Sequence, residues 1–315
     1  MLRPQACVSV VAGAVLLTVP AISGQAQTSN PIRPPGSDPS SFSGPRAARI
    51  VSLVPAATEI LFAIGAGDRL VGRTRWGIHP PEARSVPDVG DGIRPSLEAV
   101  IAQDPDLVIL SAGADNEGVA DRIEALGVAT LALTHNSFSD LGRNILEIGV
   151  VAGCETSARH LSERLDRDLS ELATELAEAP RIPVYYDGWP DPPITIGRGS
   201  YLDSLITIAG GRNVFGSLEA PSPRVSLEAI VRADPTLVIT SVAGAEDARA
   251  SIQGRPGWSN IPAVAASRVV TVDAYLVSRL GPRIADAARA LAQAIHPDLA
   301  RPASPAPAVQ LECRP

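Results

Sequence analysis

Residues 95–110 read PSLEAVIAQDPDLVIL, and residues 225–240 read VSLEAIVRADPTLVIT. Nine of the sixteen positions coincide: Ser, Leu, Glu, Ala, Asp, Pro, Leu, Val and Ile. Ser96 is placed to cap a short helix over Leu97–Gln103, and Asp104-Pro105 stops it. Leu107–Leu110 is then a continuous apolar run, the pattern of a strand buried on both faces of a parallel sheet. Upstream, EILFAIGAGDRLVG (59–72) parallels DSLITIAGGRNVFG (203–216) without a gap. Two occurrences of one α/β unit imply two similar lobes, because a solenoid needs at least three repeats.

The surrounding sequence completes each lobe. Ala48–Leu53 (ARIVSL) reads as a buried strand, followed by a helical stretch over Ile60–Ile64 that Gly65 and Gly67 end. Leu70-Val71-Gly72 begins the next strand. Between the lobes, Ser139–Ala179 carries leucines and isoleucines at helical spacing, including Leu141, Ile145, Leu161, Leu165, Leu169 and Leu172. Gly153 interrupts that stretch, so one long helix with a short one before it is expected. Pro180 and Pro183 stop it ahead of a strand at Val184–Tyr186. Arg268–Asp273 is a further strand and Pro282–Ile295 a closing helix. The expected architecture is α/β: two Rossmann-like lobes with parallel sheets, bridged by a long helix, with a ligand cleft between them. In such sheets ligands bind beyond the carboxyl ends of the strands.

The boundaries read as a signal peptide over 1–26, a flexible tether over 27–47, lobes over 48–137 and 181–298, a bridging helix over 138–180 and a disordered tail over 299–315. The signal rests on Arg3, an apolar stretch from Ala6 to Pro20 and the small-x-small site Gly24-Gln25-Ala26. Export would place the protein in the periplasm. There Cys154 and Cys313, the cysteines left after cleavage, are able to form one disulfide.

Composition excludes several functions. The chain has 315 residues, 27 basic side chains that are all Arg, and a formal charge of −7. It has no basic runs, which argues against nucleic acid as a partner. The absence of Lys removes Schiff-base chemistry and a Walker-type phosphate loop. No Gly-x-Ser-x-Gly elbow or His-Glu-x-x-His site is present, and the four histidines include two on helices poorly placed for catalysis. The reading is therefore not an enzyme, and no cofactor or metal site is expected. A secreted interaction module is the remaining class, but paired lobes with a cleft suit ligand capture better.

Rings are scarce at 3% of residues, so each one is informative. The lobes differ in one respect. Gly72 and Ser96 are 24 positions apart and Gly216 and Ser226 only 10, so the first lobe carries a longer loop, Arg73–Arg94. That loop holds Trp76 and His79, and a Trp in so polar a segment suits a binding surface. Trp189 follows the strand at Val184–Tyr186. Tyr275, Leu276 and Arg279 follow the strand at Arg268–Asp273. All six are candidate ligand-binding residues. Trp258 reads as structural. Arg94, Arg198 and Arg224 are further cations available to acidic or amide groups.

The chain resembles the periplasmic substrate-binding proteins of iron-siderophore, haem and cobalamin ABC importers. The matching stretches are RIVSLVPAATEILFAIGAGDRLVG, SLEAVIAQDPDLVIL, SLEAIVRADPTLVIT, GWSNIPAVAASRVV and GPRIADAARALAQAIHP, from Arg49 to Pro297. The spacing from Val71-Gly72 to Pro80-Pro81 resembles the cobalamin-binding branch, which places an aromatic where Trp76 stands. The run Tyr275-Leu276-Val277 departs from that branch. The resemblance implies a corrinoid ligand, with haem or a ferric siderophore as the alternative; His79 or Tyr275 would then serve haem. It further implies a monomer with one exposed Glu per lobe, Glu98 and Glu228, docking on an inner-membrane permease. Read without the resemblance, each Glu merely opposes a helix dipole.

Overall fold

The computed structural model describes residues 46–241, 248–299 and 313. The expected signal peptide and most of the tether and tail lie outside the described residues. Among the described residues no helix is long and apolar enough to cross a membrane.

The first lobe contains β1 (Ile50–Ser52), α1 (Pro55–Ala63), β2 (Leu70–Arg73), α2 (Leu97–Ile101), β3 (Leu107–Ser111), α3 (Ala114–Glu124) and β4 (Ala129–Leu133). Two helices follow, α4 (Phe138–Val151) and α5 (Glu155–Glu175). The second lobe contains β5 (Ile182–Asp187), β6 (Trp189–Pro190), β7 (Pro193–Ile194), α6 (Tyr201–Ile208), β8 (Gly211–Asn213), α7 (Leu227–Arg232) and β9 (Leu237–Thr240). It ends with α8 (Ala248–Gln253), α9 (Pro262–Ala265), β10 (Val269–Thr271), α10 (Ala274–Val277) and α11 (Ile284–Ile295).

Both main sheets are parallel, in the orders β2-β1-β3-β4 and β8-β5-β9-β10. The second order is the first repeated, strand for strand, so the sequence repeat is a structural repeat. Its details repeat too. Ser96 and Ser226 each accept a hydrogen bond from the third helical amide, Ala99 and Ala229, at 3.2 Å. Asp104 and Asp234 both adopt φ of 49°. That is a left-handed conformation Asp tolerates, and the following prolines prevent the helices from continuing.

The sheet period of two explains the packing. Ile50, Leu107 and Ile109 face one large core, while Val51, Val108 and Leu110 face a smaller cluster on the outer side of lobe 1. In lobe 2, Val184, Tyr186, Leu237 and Ile239 join the same large core, while Tyr185 and Val238 face an outer cluster. Trp258 is buried in that outer cluster, edge-on to Tyr185 at 6.0 Å, which fits its structural reading. Ile145 and Ile148 of α4, Leu161 and Leu165 of α5 and Leu291 of α11 fill the large core between the sheets. The two lobes thus share one continuous apolar interior, which resists their separation.

The bridge differs from expectation. α4 has 14 residues and α5 has 21, so the first helix is not short. Ser137 and Asp140 form a reciprocal capping box that starts α4 firmly. Gly153, at φ of 63°, makes the turn into α5. Cys154 bonds to Cys313 across 159 residues, and Cys313 packs against the core, so the tail is anchored at that residue. The residues that follow β10 form a helical turn, α10, because Asp273 caps it by accepting the Tyr275 amide at 2.8 Å.

Candidate functional site

The carboxyl ends of the lobe 1 strands open onto a cavity of about 440 Å³ shared by both lobes. From lobe 1 it is lined by Val54-Pro55-Ala56 after β1, Trp76 after β2, Ser111 at the end of β3 and His135 after β4. From lobe 2 come Tyr201, Tyr275, Ser278, Arg279 and Leu280. Trp76 is 49% exposed and Tyr275 40%, so both offer ring surface to a ligand.

Trp76 sits on a loop built around a buried cation. Arg73, at the end of β2, donates from Nε to the Ala83 carbonyl at 2.8 Å and from Nη1 to the Thr74 carbonyl at 2.9 Å. The Gly77 amide closes the turn onto the Thr74 carbonyl at 2.9 Å. A loop whose backbone is fastened in this way presents its ring at low entropic cost.

Tyr275 and Trp76 are also tied to each other's lobes. Glu59 lies mid-way along α1 and is 3% exposed. Arg283 of lobe 2 reaches it with Nε at 2.9 Å and Nη2 at 2.7 Å, and Arg279 with Nη1 at 3.2 Å. Arg279 then donates from Nη2 to the Trp76 carbonyl at 2.6 Å, and Arg283 from Nη2 to the Tyr275 carbonyl at 3.2 Å. The Arg279 guanidinium also lies 5.3 Å from the centre of the Tyr275 ring. Burial works against the charge of Arg283, but the hydrogen bonds and charge of Glu59 outweigh it and hold its pKa above the ordinary value. One buried carboxylate therefore fixes two arginines, and the arginines hold the backbones of the two cavity rings.

This changes the reading of Arg279. It lines the cavity, but its side chain is 9% exposed and clamped, so it is a strut rather than a free cation. Leu276 turns to the core instead. His79 is half-buried and lines neither cavity described for the cleft region. Burial, then the nearby Arg283, lowers its pKa. Trp189 is 60% exposed on the two-stranded antiparallel ribbon of β6 and β7, and it lines neither cavity. The ribbon forms as Trp189 pairs with Ile194 directly after β5. Arg198 makes an exposed ion pair with Glu219 at 3.0 Å, while Arg94 and Arg224 are exposed.

Eight of the eleven lining residues had not been singled out as ligand-binding from sequence, His135 and Tyr201 among them. His135 holds Ser111 Oγ at 3.1 Å from Nε2, and burial lowers its pKa, favouring the neutral ring. Tyr201 donates its hydroxyl to the Val277 carbonyl at 2.9 Å. His135 had a readable signal, since it follows a strand end as Trp76 does.

Glu98 and Glu228 are exposed, each the second residue of an equivalent helix, α2 and α7. The Glu228 carboxyl is held below its usual range by its own backbone amide and the Ser226 hydroxyl.

Comparison with known proteins agrees with this architecture. Residues 50–276 match the family described as periplasmic binding protein. The chain belongs to that family. It is therefore a binding protein of the ABC-transporter type and not an enzyme. It is 33% identical over 261 residues to an uncharacterised ABC transporter substrate-binding lipoprotein of Bacillus subtilis, covering 79% of this chain and 80% of that one. It is 26% identical over 240 residues to a vitamin B12-binding protein of Vibrio parahaemolyticus, covering 76% and 86%. Among solved structures it resembles the periplasmic vitamin B12-binding protein of Vibrio cholerae, with a TM-score of 0.68, 26% identity, and 79% and 96% coverage. It equally resembles a periplasmic haem-binding protein of Pseudomonas aeruginosa, with a TM-score of 0.73, 26% identity, and 82% and 95% coverage.

Proposed function

We propose that this periplasmic binding protein captures a corrinoid and delivers it to an ABC permease. The observation that carries this reading is the cavity between the lobes, which is lined by Trp76 and Tyr275 while its lining cation, Arg279, is already bound to Glu59. Flat apolar ring surface with no free positive charge suits a neutral macrocycle better than a dianionic one. Similarity to vitamin B12-binding proteins supports the same choice. The chain reaches the periplasm through the cleaved segment 1–26 and acts as a monomer. Glu98 and Glu228 occupy equivalent exposed positions on the two lobes, which fits a two-fold symmetric permease carrying basic residues.

Haem is the second reading, because His135 and Tyr275 line the same cavity and either side chain can ligate iron. A ferric siderophore belongs to the same alternative, although its anionic donors would lack a free cation here. Isolating the protein from its native host and identifying the bound molecule by mass spectrometry separates these. A corrinoid mass supports the proposal. A porphyrin or an iron-chelate mass replaces it.

A further inference from the structure

The cleft leaves Trp189 without a use. Its ring is 60% exposed, the most open aromatic ring among the described residues. It lines neither the first cavity nor a second one of about 440 Å³, which shares Pro55, Trp76 and Ser111 with the first. A single exposed apolar side chain needs no explanation, but this one is held in place. It stands on the run WPDPPI (189–194), where three prolines fix φ. The Gly188 amide donates to the Ile194 carbonyl at 3.1 Å, and Thr195 Oγ1 to the Tyr186 carbonyl at 2.7 Å. The ring is thus offered to solvent on a fastened backbone, and a partner that covers it orders little.

The ribbon is joined to the segment that carries Glu228. Ile194 pairs with Trp189 on one side and with Arg224 on the other, and the Val225 amide donates to the Pro193 carbonyl at 3.0 Å. Two strand spacings put the Trp189 backbone about 10 Å from that of Arg224, and Glu228 follows in the first turn of α7. Because α7 leads back into β9, that turn lies at the carboxyl end of the sheet, where the ribbon leaves β5. One partner surface of standard size, about 800 Å² a side, covers both. Lobe 1 repeats the arrangement with a smaller group. Its antiparallel bridge between Gly90 and Pro95 stands just before Ser96, as the bridge between Ile194 and Arg224 stands before Ser226. Ile93, in the turn so closed, is 65% exposed, precedes Glu98 by five residues and edges the second cavity. Asp91 pins that turn by accepting the Ile93 amide at 2.7 Å.

We infer that Trp189 is the apolar anchor of the docking surface, seating in a nonpolar pocket of the permease beside the basic residue that meets Glu228. Exposed carboxylates steer an encounter and are screened by salt, whereas a tryptophan buried at the contact supplies affinity that salt does not remove. Ile93 is the lesser contact on lobe 1. The inference rests on the docking reading of Glu98 and Glu228 above and adds the residue that holds the complex once charge has formed it.

The test measures binding of the purified protein to the ABC permease of its native host in nanodiscs, at low and at high salt. Trp189→Ala should dock at least about tenfold more weakly than wild type, the loss of an interface hot spot, and the deficit should persist at high salt. Trp189→Phe should recover most of it. Calorimetric titrations of Trp189→Ala with cyanocobalamin and with haemin should match wild type, and so should its melting temperature, since the ring packs on little. Glu98→Arg with Glu228→Arg is run alongside and should dock weakly at low salt. If the charge-reversed protein docks weakly while Trp189→Ala docks as wild type, the anchor is overturned and the docking reading stands. If both dock as wild type, the docking reading fails and the inference with it. Weakened ligand binding in Trp189→Ala would assign the ring to the ligand. A wild-type dimer in sedimentation that Trp189→Ala dissociates would assign it to a second copy of the chain. Either result overturns the inference.

Discussion

Replacing Glu59 by Gln removes one charge and almost no volume from the contact that joins the lobes. Glu59 receives three hydrogen bonds from Arg279 and Arg283, at 2.7, 2.9 and 3.2 Å. The Arg279 and Arg283 side chains are 9% and 23% exposed, so water replaces little of what they lose. Removing one partner of a buried pair costs about 3–5 kcal/mol, because the remaining charge is left uncompensated. For a domain of this size about 1 kcal/mol moves the melting temperature by roughly 2–4 °C, so Glu59→Gln should melt roughly 6–20 °C lower. Thermal unfolding by circular dichroism reads this directly. The same change releases Arg279 from the position where it holds the Trp76 carbonyl, so ligand dissociation should quicken as well. A double-mutant cycle with Arg279→Gln should show strong coupling, the double variant losing clearly less than the sum of the singles. A melting temperature within about 2 °C of wild type, or additive losses, would refute the argument that Glu59 organises both arginines.

Three further outcomes follow. Cys154→Ser with Cys313→Ser opens a loop of 159 residues and should lower stability by about 2–5 kcal/mol in denaturant unfolding; an unchanged midpoint would show that the bridge contributes nothing. Burial depresses the His135 pKa, so the unfolded chain takes up that proton before the folded one, and stability is complete above the ordinary value of 6.5 and is lost as pH falls toward the folded value. The wild type should therefore lose stability more steeply between pH 7 and 5 than His135→Gln, and parallel profiles would contradict this. Charge reversal at both Glu98 and Glu228 should abolish uptake in cells while leaving ligand affinity intact, and a fall in affinity would place these residues in the ligand site instead of the docking surface.

The repeat made much of this fold legible. PSLEAVIAQDPDLVIL and VSLEAIVRADPTLVIT carry their own helix caps, stops and buried strands, so their reading needed only local physics. Trp76 was visible for the same reason, as a large ring in a polar loop after a strand. The contact of Arg279 with Glu59 was not legible, because the two lie 220 residues apart, and no local pattern reports such a contact. A signal was present nonetheless. PAATEILFA sets one Glu in an otherwise apolar helix, and a charge there requires a partner from elsewhere. The turn at Ala274–Val277 was written in Asp273, an N-cap residue that the strand reading absorbed.

The most direct test of the account is a side-by-side titration of the purified protein with cyanocobalamin and with haemin, followed by calorimetry and by absorption. The account predicts saturable binding of one cyanocobalamin per chain, weakened when Trp76 or Tyr275 is replaced by Ala, and no shift of the haemin Soret band. A saturating Soret shift, lost in His135→Ala or Tyr275→Phe and accompanied by no corrinoid binding, would contradict it.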